Sequence, residues 1–238
     1  MKHPEPLLLV PGLMCNEAVW APVMPLLARA ATCQVVDHGA ANSLPQMAEQ
    51  LLHHAPARFA LAGHSMGARV ALEVFRQAPE RVTRIALLDT GYLPLAAGEA
   101  GEQEKNKRYQ LLHVARTQGV RSMARVWVQG MVHPQRLSDM DLIESIVHMF
   151  ERKTPEIFEA QIQALLDRPD ARSVLQSLNV PTLIACGDQD AWAPLAQHQA
   201  MHALVPHARL SVFADAGHMA PMEQAHAVAD ALLQWLAA

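Results

Sequence analysis

Short, continuous apolar runs alternate along this chain with longer segments in which apolar residues recur every three or four positions. The runs are Leu7–Val10, Cys33–Val36, Arg58–Ala62, Ile85–Leu88, Val180–Gly187 and Ala208–Phe213. The first, uniformly apolar and ended by Pro11-Gly12, has the signature of a strand buried on both faces of a sheet, and the others read as further strands. The helical periodicity covers Val23–Ala30, Leu44–His53, Met66–Gln77, Leu195–Leu204 and Met222–Leu236. Strand and helix in strict alternation predict a doubly wound, mainly parallel sheet of about six strands.

The alternation stops between Tyr92 and Ser177. Only helical patterns occur there, over Tyr109–Gln118, Val120–Met131, Asp139–Lys153 and Pro155–Leu166. The expected layout is therefore a core of residues 1–91 and 178–238, with residues 92–177 forming a helical cap inserted after the fourth strand. Such a cap would sit at the carboxyl ends of the strands, where open α/β sheets bind ligands.

Composition adds exclusions. The 238 residues are 51% hydrophobic and 18% charged, enough for a sizeable core. A formal charge of −4 gives no reason to expect a nucleic-acid partner. The apolar run near the N-terminus is four residues long, too short for a signal sequence or a membrane span. Cys15, Cys33 and Cys186 leave an odd thiol and no metal-ligand spacing, so a reduced, cytoplasmic protein without metal or cofactor is expected.

The third strand leads into Gly63-His64-Ser65-Met66-Gly67 and then directly into a helix. A strand that turns into a helix through one residue strains that residue and thrusts its side chain outward. The helix start also aims free N–H groups and a positive dipole end at the site. Ser65 is thus mounted as a nucleophile rather than as an ordinary turn serine. A serine hydroxyl needs a base, and the base needs an orienting carboxylate. Asp190 follows the fifth strand and His218 the sixth. Asp188 and Asp89 are rivals for the acid, while Asp215 reads as a turn cap. The oxyanion donors expected are the backbone N–H groups of Met66, at the helix start, and Leu13, after Pro11-Gly12.

Four separated segments resemble the α/β-hydrolase superfamily: Val10-Pro11-Gly12-Leu13, Gly63–Gly67, Gly187-Asp188-Gln189-Asp190 and Gly217-His218. The order Ser65, Asp190, His218 is the one that superfamily uses. The chain is similar to its small single-domain bacterial carboxylesterases, including the type acting on acyl-carrier methyl esters. That resemblance implies a serine esterase whose partner is a small-molecule ester, acyl-carrier-linked in one form. Two departures stand out. Pro11-Gly12 replaces the usual His-Gly, and only six residues precede the first strand, which predicts six parallel strands instead of eight. The same triad could also serve a thioester, a carbon–carbon bond or a lyase reaction, and a non-catalytic ligand-binding role is the alternative of another class.

Remaining motifs read as structural. His64 supports the turn; His198 and His202 lie on a solvated helix face, because Gln199 stands where a zinc motif needs Glu. Cys15 is a bystander to the oxyanion loop. Residues 95–175 hold 11 Lys+Arg and 11 Asp+Glu, so the run Lys105–Arg108 is expected to be solvated. Trp127, Met131, Met149 and Phe150 recur at helical spacing and suit an apolar wall over Ser65, or packing of cap on sheet.

Overall fold

The computed structural model describes residues 5–238. Among them six strands form one parallel sheet: β1 (Glu5–Val10), β2 (Ala31–Val35), β3 (Phe59–His64), β4 (Val82–Leu88), β5 (Thr182–Gly187) and β6 (Arg209–Phe213). Their spatial order is β2-β1-β3-β4-β5-β6. The fold is that of the α/β hydrolases, with six parallel strands among the described residues. Burial follows position in the sheet. Central β3 and β5 are buried at every residue, whereas the edge strands β2 and β6 alternate or lie half-exposed.

The helices are α1 (Met24–Leu27), α2 (Leu44–His54), α3 (Met66–Gln77), α4 (Glu99–Gln118), α5 (Val120–Trp127), α6 (Met140–Glu151), α7 (Pro155–Leu166), α8 (Arg172–Ser177), α9 (Leu195–Leu204), α10 (Ala220–Glu223) and α11 (Ala225–Leu236). α2, α3, α8 and α9 pack in sequence on one face of the sheet, and α1 packs with α11 on the other. Among the described residues no strand interrupts the stretch between β4 and β5, which holds α4–α8; α4–α7 form the helical insertion and α8 returns to the sheet beside α3 and α9.

Several boundaries differ from the periodicity: α1 is cut to Met24–Leu27 and β4 starts three residues early, at Val82. α4 begins ten residues before Tyr109. Its first half is too polar to show an apolar stripe and is held by pairs four residues apart, Gln103 with Glu99 and Arg108 with Glu104. The helix expected to run from Val120 to Met131 stops at Trp127 and tightens into a 3-10 turn over Val128–Gly130. The last helix breaks at Gln224, whose backbone leaves the helical region.

The insertion is fastened to the core at polar points. The buried amide of Gln161 on α7 accepts from the Met14 N–H at 2.8 Å and donates to the Gly39 carbonyl at 3.2 Å. Buried Glu223 binds the other end: its carboxylate accepts from the N–H groups of His133, Gly217 and Met219 at 2.7–3.1 Å. One carboxylate thereby ties the loop after α5 to the loop after β6.

Candidate active site

Ser65 lies between β3 and α3 with φ 56° and ψ −119°, a region that L residues rarely adopt. The strain persists because the surroundings admit nothing wider. A Cβ on Gly63 would stand 2.4 Å from the Gly67 carbonyl oxygen, and one on Gly67 would stand 2.1 Å from that of Val10. The two glycines therefore let helix and strand meet at the turn.

His218 reaches this turn from the loop after β6. Its Nε2 is 2.8 Å from Ser65 Oγ, and its Nδ1 is 2.8 Å from Asp190 Oδ2. An Nδ1–H donating to the carboxylate leaves Nε2 free to accept the serine proton. Asp190 Oδ1 accepts from the Trp192 and Ala193 N–H groups, both at 2.9 Å. Burial alone would raise the Asp190 carboxyl, but His218 and these two amides outweigh it and hold it below the ordinary carboxylate range. The structure thus joins Ser65, His218 and Asp190 in one hydrogen-bonded series.

The rival acids lie elsewhere. Asp188 is exposed and accepts from the Ala216 N–H at 3.3 Å, capping the loop. Asp89 is fully buried and accepts from the Gly187 N–H at 2.9 Å. Burial and the negative charge of Asp190 push Asp89 well above its ordinary value, which favours its neutral form. Asp89 Oδ2 and His64 Nε2 are 3.8 Å apart. Burial and the neighbouring His218 also push His64 down to about 3, so the two are neutral neighbours instead of an ion pair.

His64 does more than support the turn. Its Nε2–H donates to the His218 carbonyl at 2.7 Å. The expectation for His198 is corrected. It is wholly buried, with its Nε2 accepting from the Thr90 N–H at 3.1 Å, because α9 packs that face onto the loop after β4. Cys15 is buried in apolar surroundings that push its thiol up to about 12, well outside the reactive range. Among the described residues no three His, Cys, Asp or Glu side chains converge to hold a metal ion.

A cavity of about 720 Å³ opens over Ser65 and His218, within the range of small-molecule sites. Leu13 and Met66 border it, and the Met66 amide belongs to the first turn of α3, where a helix has no carbonyl for it. Of the four insertion residues expected at the wall, Trp127, Met131 and Phe150 line the cavity. Met149 does not; it is buried on another side of α6. Leu111, Val114, Phe158 and Leu165 extend the apolar part.

Two contributors escape sequence reasoning. Trp192 stacks on Trp127 with ring centroids 5.6 Å apart and lies 4.9 Å from the His218 ring. It sits in an irregular loop with no periodicity to flag it. The second is the end of the Lys105–Arg108 run: half-buried Arg108 turns into the cavity and binds Glu104, and exposed Lys107 borders the cavity beside it.

A model of the alpha/beta hydrolase family matches residues 7–231. Among curated proteins, the chain is 30% identical to a pimeloyl-(acyl-carrier protein) methyl ester esterase of Photobacterium profundum over 89% of this chain and 87% of that one. It is 27% identical to the protein of that name from Nitrosomonas europaea, over 89% and 88%. Among solved structures, a thermophilic esterase from Thermogutta terrifontis superposes with TM-score 0.86 and 26% identity, covering 98% of this chain and 89% of that one. With the family model spanning nearly its whole length, this chain belongs to the α/β-hydrolase family.

Proposed function

We propose that the protein is a serine hydrolase of carboxylic esters, with Ser65 as nucleophile, His218 as base and Asp190 as orienting acid. The observation that carries this reading is the unbroken series from Ser65 Oγ through the His218 ring to Asp190, at 2.8 Å for each bond. In the reaction, Ser65 Oγ attacks the acyl carbon while His218 Nε2 takes its proton. Asp190 holds the imidazole tautomer and stabilises the imidazolium. The oxyanion forms against the N–H groups of Leu13 and Met66, an interaction worth about 2.7–4 kcal/mol per donor in comparable sites. His218 then protonates the departing alcohol. A water, losing its proton to His218, hydrolyses the acyl-enzyme and restores Ser65.

The apolar wall of Trp127, Met131 and Phe150 supports an acyl chain of several carbons in the cavity. The two relatives named for pimeloyl-(acyl-carrier protein) methyl ester esterase activity support an acyl-carrier-linked ester as one physiological form. A fluorophosphonate probe should label the native protein and not Ser65→Ala, and nitrophenyl esters from acetate to octanoate should be turned over at pH 7–8. Absence of both labelling and turnover would overturn the reading.

A further inference from the structure

The cavity is apolar beside Ser65 but cationic at the end formed by α3, α4 and the segment after α7. Arg69, Lys107, Arg108 and Arg168 all border it, against the carboxylates of Glu104 and Asp89 alone. Asp89 is held toward its neutral form, so Glu104 is the one ionised partner for four cations.

Glu104 is already occupied. Arg168 binds it through both nitrogens, Nη1 to Oε1 at 2.7 Å and Nη2 to Oε2 at 2.8 Å. Arg108 adds Nε and Nη2 to Oε1 at 3.0 and 2.8 Å. These contacts outweigh the effect of burial and hold Glu104 down at about 2. Arg69 makes no hydrogen bond to that carboxylate and feels it only as a charge at longer range. Its Nη1 instead donates to the Leu93 carbonyl at 3.0 Å, the same oxygen that accepts from Arg168 Nε at 3.2 Å. Two guanidinium groups therefore converge on one carbonyl, and Arg69 has no carboxylate within ion-pair distance among the described residues. Burial and the like charges of Arg168 and Arg108 push Arg69 down to about 9.

From this unbalanced cluster we infer that the cavity has an anion subsite, in which Arg69, backed by Arg168, receives a carboxylate or phosphoryl group on the substrate. Planar guanidinium donors suit such oxygens. Arg69 lies in the first turn of α3, four residues after Ser65, which caps that helix, so it stands about 6 Å further along the helix axis. One short chain can therefore span both points, and the preferred substrates are esters that carry an anionic group a few carbons from the scissile bond. The activity readout rests on the ester-hydrolase reading; the binding readout below does not.

Monomethyl and dimethyl esters of glutaric and adipic acid test the inference. The native enzyme should favour the monoesters in kcat/KM, and Arg69→Gln should lower the monoester-to-diester ratio by about tenfold or more. Arg69→Lys should recover part of that preference. Because the ratio is internal, a general loss of activity does not mimic the effect. If the native enzyme treats both ester classes alike and Arg69→Gln leaves the ratio unchanged, the subsite does not exist, while hydrolysis itself stands. Should no ester be turned over, the binding measurement decides. Glutarate or inorganic phosphate should raise the melting temperature saturably in the native protein and not in Arg69→Gln. Tighter glutarate binding assigns the subsite to a carboxylate, and tighter phosphate binding to a phosphoryl group. No shift with either anion overturns the inference.

Discussion

The Nε2–H of His64 donates to the carbonyl oxygen of His218 across 2.7 Å. The residue just before Ser65 thus holds the backbone of the residue that faces Ser65, and the two loops are located against each other independently of the Ser65–His218 side-chain bond. The rings of His64 and His218 are 5.4 Å apart, so the neutrality of His64 also keeps a second positive charge away from an imidazolium at His218.

This contact has a pH signature. His64 is pushed from 6.5 down to about 3 by burial. A group whose folded value is depressed contributes stability that is complete above the unfolded value and is lost as pH falls through the folded one. Native stability should therefore decline from about pH 6.5 towards 3. His38 and His198, also lowered by burial, act in the same direction. His64→Leu should flatten part of this slope and cost about 1–3 kcal/mol at pH 7 through the orphaned carbonyl. Urea unfolding at pH 7, 5.5 and 4 measures both; an unchanged slope would contradict the assignment.

Asp89 should behave in the opposite sense. Its folded value is raised, so the stability it contributes is complete below 3.8 and is lost as pH rises through the folded value. Asn reproduces a neutral carboxyl, so Asp89→Asn should leave kcat within a few-fold and hold or increase stability above neutral pH. Asp190→Asn should lower kcat by about 10⁴-fold, because His218 loses the partner that sets its tautomer. Equal losses in the two variants would remove Asp190 from its proposed role.

Gly217 tests how closely the two loops meet. A Cβ there would lie 2.6–2.7 Å from backbone atoms of Met131, Val132 and His133. The adjacent His218 and Met219 N–H groups donate to the Met131 carbonyl at 2.6 and 3.2 Å. Gly217→Ala must push the loop after α5 away, and with it His218. A loss of kcat of at least about 100-fold is expected, comparable with misplacing a catalytic group by 1 Å. Fluorophosphonate labelling rates should fall in parallel, and normal labelling would show that the loop absorbs the methyl.

Trp192 is 41% exposed at the cavity mouth, yet stacks on Trp127 and approaches the ring of His218. Removing an aromatic pair forfeits about 0.5–1.5 kcal/mol beyond area burial. Trp192→Ala should accordingly reduce kcat/KM several-fold for nitrophenyl octanoate and less for the acetate. A uniform loss along the ester series would assign the ring to holding His218 instead of contacting acyl chains.

The sequence by itself determined the order of strands and helices, the place of the insertion and the elbow around Ser65. These rest on local physics. A strand buried on both faces must be apolar throughout, a helix on a sheet must be apolar every third or fourth residue, and a strand-to-helix turn without room for side chains needs glycine at Gly63 and Gly67. The first half of α4 was illegible for the same reason in reverse, since charge pairs four residues apart leave no apolar stripe. Only the tertiary structure decided what long-range packing brings together. It set Asp190 Oδ2 against His218 Nδ1, buried His198, turned Arg108 inward and Met149 aside, and laid Trp192 across Trp127. The balanced charge of residues 95–175 hid the cationic end of the cavity, because a count along the chain cannot reveal that Glu104 serves Arg108 and Arg168 at once. Arg69 meets that cluster from a different helix and, among the described residues, has no carboxylate within ion-pair distance.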